Sequence, residues 1–485
     1  MRSPDINHDK EALKLLVIDT ISKQCISAAA ASADTNNTPS DILALATALN
    51  NGYQLELTIL SGGLANYSYK VSCTDESTNV LLFAKFTFAY ALVFPDKPCP
   101  LDRTQYEFDG LKIYKNVVSN TPGASDAAVT PYFCIDVEGD HKLLVTQFSP
   151  LDEQAANQFI DGSVDLRVAS KLAISLAALH SKNDFDPNHN ADIRPFVQDL
   201  VGLIEEIFDG MIKEEGGSTD RPTALAKSMG KAVLDNMITA YRKELDATDC
   251  IVNGDCHMFN MLVEAKPSIE KLENYGKKGD IVLIDWEFSR CGPIGIDVGF
   301  VHPFPIACVL THAMNGELSS SENILKFLDT LWNEYSSTVQ TGRELSDIYR
   351  TMLSFTGVIL IVYYKLGFHL EFLPLDDNNV EGLNRVKESI GVIGLKFLSW
   401  GFGNEEEDMT TLPEIRKKFK DAVAEEVQLI SPTKKMRGRT RRSSMLRVSG
   451  RRVSDAYLVL GGSVRDMTTL MEANAELSMY ADDEN

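Results

Sequence analysis

The chain of 485 residues is 44% apolar and 24% charged, an ordinary balance for globular protein with length for two or three domain-sized units. Its 47 Lys and Arg stand against 69 Asp and Glu, a net charge of −22 that argues against general binding to nucleic acid or an anionic membrane. The eight cysteines are scattered, with no CxxC pair and no signal sequence ahead of them, which predicts reduced thiols and a cytoplasmic location.

Residues 1–52 read as a helical N-terminal extension, with a linker from Ala28 to Ser40 rich in Ala, Ser, Thr and Asn. From Tyr53 to Pro150 the pattern turns strand-rich. Gln54 to Leu60, Tyr67 to Cys73 and Val80 to Thr87 mix alternating or apolar residues with β-branched and aromatic ones. Ser61-Gly62-Gly63-Leu64-Ala65-Asn66 would turn the first two into a hairpin. Leu101 to Val117 has helical spacing, and Tyr132 to Ile135 with Leu143 to Gln147 close the sheet. Residues 151–430 are mostly helical, interrupted by a strand-rich stretch from Cys250 to Glu287. The apolar run Gly357 to Tyr364 is too short to span a bilayer and reads as a buried helix, so no membrane span is expected. Residues 431–485 form a tail whose first part, 431–452, holds nine Lys and Arg and no acidic residue. The remainder is left with 38 basic against 69 acidic residues, an acidic body with a basic end.

A small sheet region followed by a larger helical one predicts an α+β, two-lobed protein-kinase-like fold, with an antiparallel-sheet N-lobe at 53–150 and a helical C-lobe at 151–430. The chemistry concentrates at Asp255, at Asn260 five positions on, and at Asp285. Phosphoryl transfer to a hydroxyl needs a carboxylate to orient the nucleophile and accept its proton, and further oxygens to hold Mg²⁺. An Asn oxygen and an Asp oxygen suit that hard ion. The apolar strand Ile281 to Ile284 would set Asp285 at its end. An Asp-x₄-Asn spacing alone is weak. Its weight comes from that strand, from Trp286-Glu287 and from Gly292-Pro293-Ile294-Gly295-Ile296-Asp297-Val298-Gly299. Lys85 ends another apolar strand, Leu81 to Ala84, from which an amine reaches the α- and β-phosphates of a nucleotide.

Asn253 to Val263 and Ile281 to Gly299 resemble the HGDLHxxN…IDxE…GPxGxDxG pattern of the aminoglycoside phosphotransferase and choline kinase superfamily. Pro100 to Leu111 is similar to a helix of methylthioribose kinases. The resemblance implies Asp255 as catalytic base, with Asn260, Asp285 and Glu287 at magnesium. It implies Glu107 as the partner of Lys85, and a nucleotide site that adds Gly62, Gly63 and Asn66 over the phosphates and Gln147 at the adenine hinge. Asn253, His257 and Asp297 would support the catalytic loop, and Trp286 would be a packed core aromatic. The implied activity is an ATP- and Mg²⁺-dependent kinase of a small hydroxylated metabolite, a methylthioribose-like sugar foremost. Choline-, ethanolamine- or aminoglycoside-type acceptors, and a nucleotide-binding pseudokinase or scaffold, are the alternatives.

The sequence departs from the pattern twice: Asn253 stands where the superfamily has histidine, and the bulky Phe259 stands before Asn260. Lys266 to Gly279 is an insertion. Arg441-Arg442-Ser443-Ser444 and Arg451-Arg452-Val453-Ser454 resemble target sites of basic-directed protein kinases, so regulatory phosphorylation of the tail, like a homodimer, stays open.

Overall fold

The computed structural model describes residues 10–32, 38–60, 66–75, 77–91, 94–139, 141–151, 153–213, 220–264, 280–375, 379–402 and 411–432. Gly62-Gly63, the insertion after Lys266 and the tail from residue 433, with its serines, lie outside them. The chain divides into two units. Among the described residues the first takes those up to Lys115 and Ala128–Pro150, and the second takes Asn116–Ala127 and those from Leu151 on.

The first unit opens with α1 (Lys10–Ser32) and α2 (Ser40–Asn50), followed by β1 (Leu55–Leu60), β2 (Asn66–Cys73) and β3 (Leu81–Thr87). A short ribbon, β4 (Tyr90–Ala91) with β5 (Phe94–Pro98), leads to α3 (Arg103–Ser119), β6 (Pro131–Val137) and β7 (His141–Gln147). The five main strands form an antiparallel sheet in the order β1-β2-β3-β7-β6. Leu13, Val17, Ile21 and Cys25 recur every fourth residue along α1 and share one core with Tyr69, Val71, Leu82, Ala84 and Phe86 of the sheet. The N-terminal helices thus belong to the sheet's own core. Helix α1 runs on through Ser32, into the stretch read as a linker. Its four alanines, Ala28 to Ala31, have the highest helix propensity available.

The second unit begins with β8 (Glu153–Gln154), α4 (Ala156–Ile160), α5 (Leu166–His180), α6 (Arg194–Lys213), α7 (Arg221–Met229) and α8 (Lys231–Leu245). Then come β9 (Cys250–Val252), β10 (Met261–Val263), β11 (Ile281–Leu283) and β12 (Arg290–Gly292). The unit closes with α9 (Ile296–Val301), α10 (Pro303–Met314), α11 (Leu318–Thr338), α12 (Leu345–Leu366), α13 (Val380–Phe402) and α14 (Leu412–Ile430). Helices α12 and α13 pack backbone to backbone through glycines: a Cβ on Gly357 would sit 2.7 Å from the Gly394 carbonyl oxygen. The apolar run 357–364 is the second half of the 22-residue α12. By length and composition Ile296–Met314 and Leu345–Leu366 are each sufficient to cross a membrane, but the most apolar 18-residue window of each is 100% and 78% buried inside the protein, respectively. A small antiparallel sheet ahead of a larger helical unit is the two-lobed α+β plan of protein-kinase-like folds.

Candidate active site

In the second unit two short antiparallel ladders frame the site. β9 pairs with β12 and β10 with β11, so the loop from Asn253 to Asn260 and the turn from Ile284 to Ser289 leave neighbouring strand pairs. The Ile284 N–H donates to the Asn260 carbonyl at 3.0 Å, which ties the two segments at their base.

The loop is built from its backbone outward. Asp297, in the first turn of α9 and fully buried, accepts the N–H groups of Asn253 and Gly254, each at 2.8 Å. Behind it, His180 at the end of α5 places Nε2 3.1 Å from Asp297 Oδ2 and Nδ1 2.8 Å from the Tyr335 hydroxyl. A carboxylate only accepts, so Nε2–H donates to Asp297 and, in the neutral ring, the tyrosine donates to Nδ1. Helix α5 delivers His180 because its apolar positions Val168, Leu172, Leu176 and Leu179 all turn inward. Gly254 has φ +83°, and a Cβ there would meet the Phe288 carbonyl oxygen and Arg290 Nη1 at 2.6 Å. Only glycine satisfies both constraints.

Asp255 is 2% exposed. Its N–H donates to Asn253 Oδ1 at 3.0 Å, and Asn260 Nδ2 donates to both its carbonyl and its Oδ2 at 3.1 Å. His257 Nε2 lies 3.4 Å from the same Oδ2, and its Nδ1 accepts the Phe259 N–H at 3.2 Å. Because the Asn260 amide bonds through nitrogen, its oxygen is the atom left for a cation. Cys256, next in sequence, is no nucleophile: burial first, then the charges of Asp297 and Asp255, push its thiol well above the ordinary range.

Both departures from the superfamily pattern have a physical place. The Asn253 side chain accepts from Asp255 and donates through Nδ2 to the Asp285 carbonyl at 3.2 Å, so one amide couples the two acidic segments. Phe259 stacks on His369 with ring centroids 4.2 Å apart and meets Phe304 edge-on at 4.8 Å. A bulky residue fits the short 3₁₀ turn Met258–Asn260 because an aromatic pocket receives it. Asp285 adopts a left-handed φ of +60°, Glu287 is buried, and Trp286 is fully buried core. Asn260, Asp285 and Glu287 together offer the hard oxygens a magnesium ion prefers.

In the first unit Lys85 of β3 and Glu107 of α3 form an ion pair at 2.7 Å with both side chains nearly inaccessible. Asn66 Oδ1 accepts from Arg103 Nη2 at 2.9 Å. The Gln147 N–H donates to the Thr130 carbonyl at 2.8 Å. Sequence reasoning missed His180, Tyr335 and Arg103. The available signals were a histidine closing an amphipathic helix, and an arginine four residues before Glu107 on the same helical face.

Residues 170–304 match the sequence model of the ecdysteroid kinase-like family, a stretch that holds the whole loop and turn just described. Pro100 to Leu111, the stretch similar to methylthioribose kinases, lies outside that match. No curated protein matches the chain. Among solved structures, an aminoglycoside phosphotransferase from Alicyclobacillus acidocaldarius is 14% identical, covering 75% of this chain and 92% of that one at a TM-score of 0.40. A choline/ethanolamine kinase family protein from Mesorhizobium loti is 12% identical over 77% and 92%, TM-score 0.36. A choline kinase from Cryptosporidium parvum is 12% identical over 84% and 97%, TM-score 0.33.

Proposed function

We propose that this chain is an ATP- and magnesium-dependent kinase that phosphorylates a hydroxyl group of a small molecule. The observation that carries the reading is the Asp255–Asn260 hydrogen bond on a loop pinned by Asp297 and coupled through Asn253 to Asp285. It brings a buried carboxylate and hard oxygen donors to one place on a fixed backbone.

In this reading Asp255 orients the acceptor hydroxyl and takes its proton as the oxygen attacks the γ-phosphorus of ATP. The bond to the β-phosphate oxygen breaks, ADP leaves, and the proton passes from Asp255 to solvent. Asn260, Asp285 and Glu287 would hold magnesium, which when bound offsets the phosphate charge. Lys85, held by Glu107, would address the α- and β-phosphates, with Gly62, Gly63, Asn66 and Gln147 completing the nucleotide site.

Two acceptor classes have support: an ecdysteroid-like alcohol, from the family matched by residues 170–304, and a methylthioribose-like sugar, from the similarity of Pro100 to Leu111. The test is ADP release with Mg·ATP across a panel of an ecdysteroid, methylthioribose, choline, ethanolamine and an aminoglycoside. Acceptor-dependent ADP release with one of them is expected. Nucleotide binding without turnover on any of them would replace the kinase with a pseudokinase.

A further inference from the structure

We infer that Arg103 is a positioning residue of the nucleotide half: it locks α3, and Glu107 with it, onto the strand ends beside Lys85. The inference rests on the kinase reading above and adds a residue to it.

Arg103 is the first residue of α3 and is fully buried. Nothing local favours it there. A cation at a helix N-terminus opposes the helix dipole, and a buried guanidinium is tolerated only when its N–H groups are bonded. The reason is therefore tertiary, and its contacts show which. Nη1 donates to the carbonyls of Phe88 at 3.1 Å and Pro100 at 3.0 Å, and Nη2 donates to Asn66 Oδ1 at 2.9 Å. Asn66 opens β2, and Phe88 immediately follows the end of β3. The two strands are paired there, Asn66 opposite Thr87. One planar group thus holds the ends of both strands.

Glu107 lies one helical turn further along the same face. It bonds Lys85, which sits opposite Ser68 in the same strand pair. A single contact would leave α3 free to pivot on the sheet. Two contacts a turn apart, Arg103 at the strand ends and Glu107 at Lys85, fix its rotation and its slide together. Loss of Arg103 therefore lets Glu107 drift from Lys85 and leaves the lysine misplaced for phosphate. A lysine at 103 substitutes only in part, because a single ammonium does not span three acceptors held by two guanidinium nitrogens.

The experiment measures affinity for a fluorescent ATP analogue with Mg²⁺, alongside turnover, in the full chain. The variants are Arg103→Met, Arg103→Lys, Glu107→Gln and Arg103→Met/Glu107→Gln. Arg103→Met should weaken nucleotide affinity about tenfold, the order expected for charge-assisted hydrogen bonds, and change kcat at saturating ATP about twofold or less. Arg103→Lys should fall between it and the wild type, and serves in its place if the Met variant fails to fold. The double variant should be no weaker than the weaker single one, because both changes release the same helix. Tyr132→Phe, which removes a hydroxyl bond to Asp41 elsewhere in this unit, controls for stability: it should lower Tm and leave affinity unchanged. Wild-type affinity in the Arg103 variants, or strictly additive losses in the double variant, would overturn the inference alone. No nucleotide binding by the wild type would remove the kinase reading and the inference together.

Discussion

The two segments that carry the acidic groups of the site are held by different means. The Asn253–Asn260 loop is clamped from behind: Asp297 takes two backbone N–H groups, and Gly254 supplies a left-handed turn at little conformational cost. The Asp285 turn is joined to that loop instead. It holds a left-handed φ of +60° without a glycine and is tied to the loop through Asn253 Nδ2 and the Asn260 carbonyl. The difference implies a direction: damage to the clamp should propagate to Asp285 through these ties and cost more than a change at Asp285 itself.

The largest expected effect tests that direction. Asp297→Ala leaves the N–H groups of Asn253 and Gly254 and the His180 ring without their acceptor, and should cost about 3 kcal/mol or more in urea unfolding. Asp285→Gly relieves a left-handed backbone, which offsets part of what is lost with the side chain, and should cost less than Asp297→Ala. Equal losses in the two variants would break the comparison.

Acid should reach the footing of the clamp next. His302, between α9 and α10, donates Nδ1–H to the Val298 carbonyl at 2.7 Å, and burial lowers its pKa to about 4. The unfolded chain binds that proton near pH 6.5. Below that value the unfolded state holds more protons than the folded one, so stability falls with pH until about 4. The contribution lost is about 3 kcal/mol. His302→Asn keeps a donor near Nδ1 and should flatten this part of the pH–stability profile. An unchanged slope would show that other groups set it.

The smallest effect sharpens the coupling. Asn253→Ala removes the acceptor for the Asp255 N–H and the donor to the Asp285 carbonyl. Each neutral bond is worth about 1 kcal/mol, so kcat should fall about tenfold with the fold intact. If Asn253 only shaped the loop locally, magnesium dependence would stay unchanged; with the coupling, the Mg²⁺ concentration for half-maximal rate rises.

The sequence made the acidic residues legible because their chemistry is local. Asp255 and Asn260 share one loop, and Asp285 ends an apolar strand. Lys85 and Glu107 needed a resemblance to be paired, since no local spacing links a strand to the next helix. What holds these groups was not legible. His369 and Phe304 pack on Phe259, and His180 and Tyr335 back Asp297, all from helices and turns far along the chain that only tertiary packing brings there. Arg103 stood in plain view beside Glu107, but its partners Asn66 and Phe88 are set by strand register. The end of α1 was misjudged for another reason: composition suggested a linker where alanine propensity favours a helix.

The central claim is that Asp255 is the base of a magnesium-dependent phosphoryl transfer. Its most direct test follows labelled γ-phosphate from Mg·ATP to the acceptor selected by the panel, in wild type and in Asp255→Asn at matched ATP occupancy. Transfer that requires Mg²⁺ and falls by about 10²–10⁴-fold in the variant, with ATP affinity retained, is the predicted result. Equal transfer by both proteins would contradict the account.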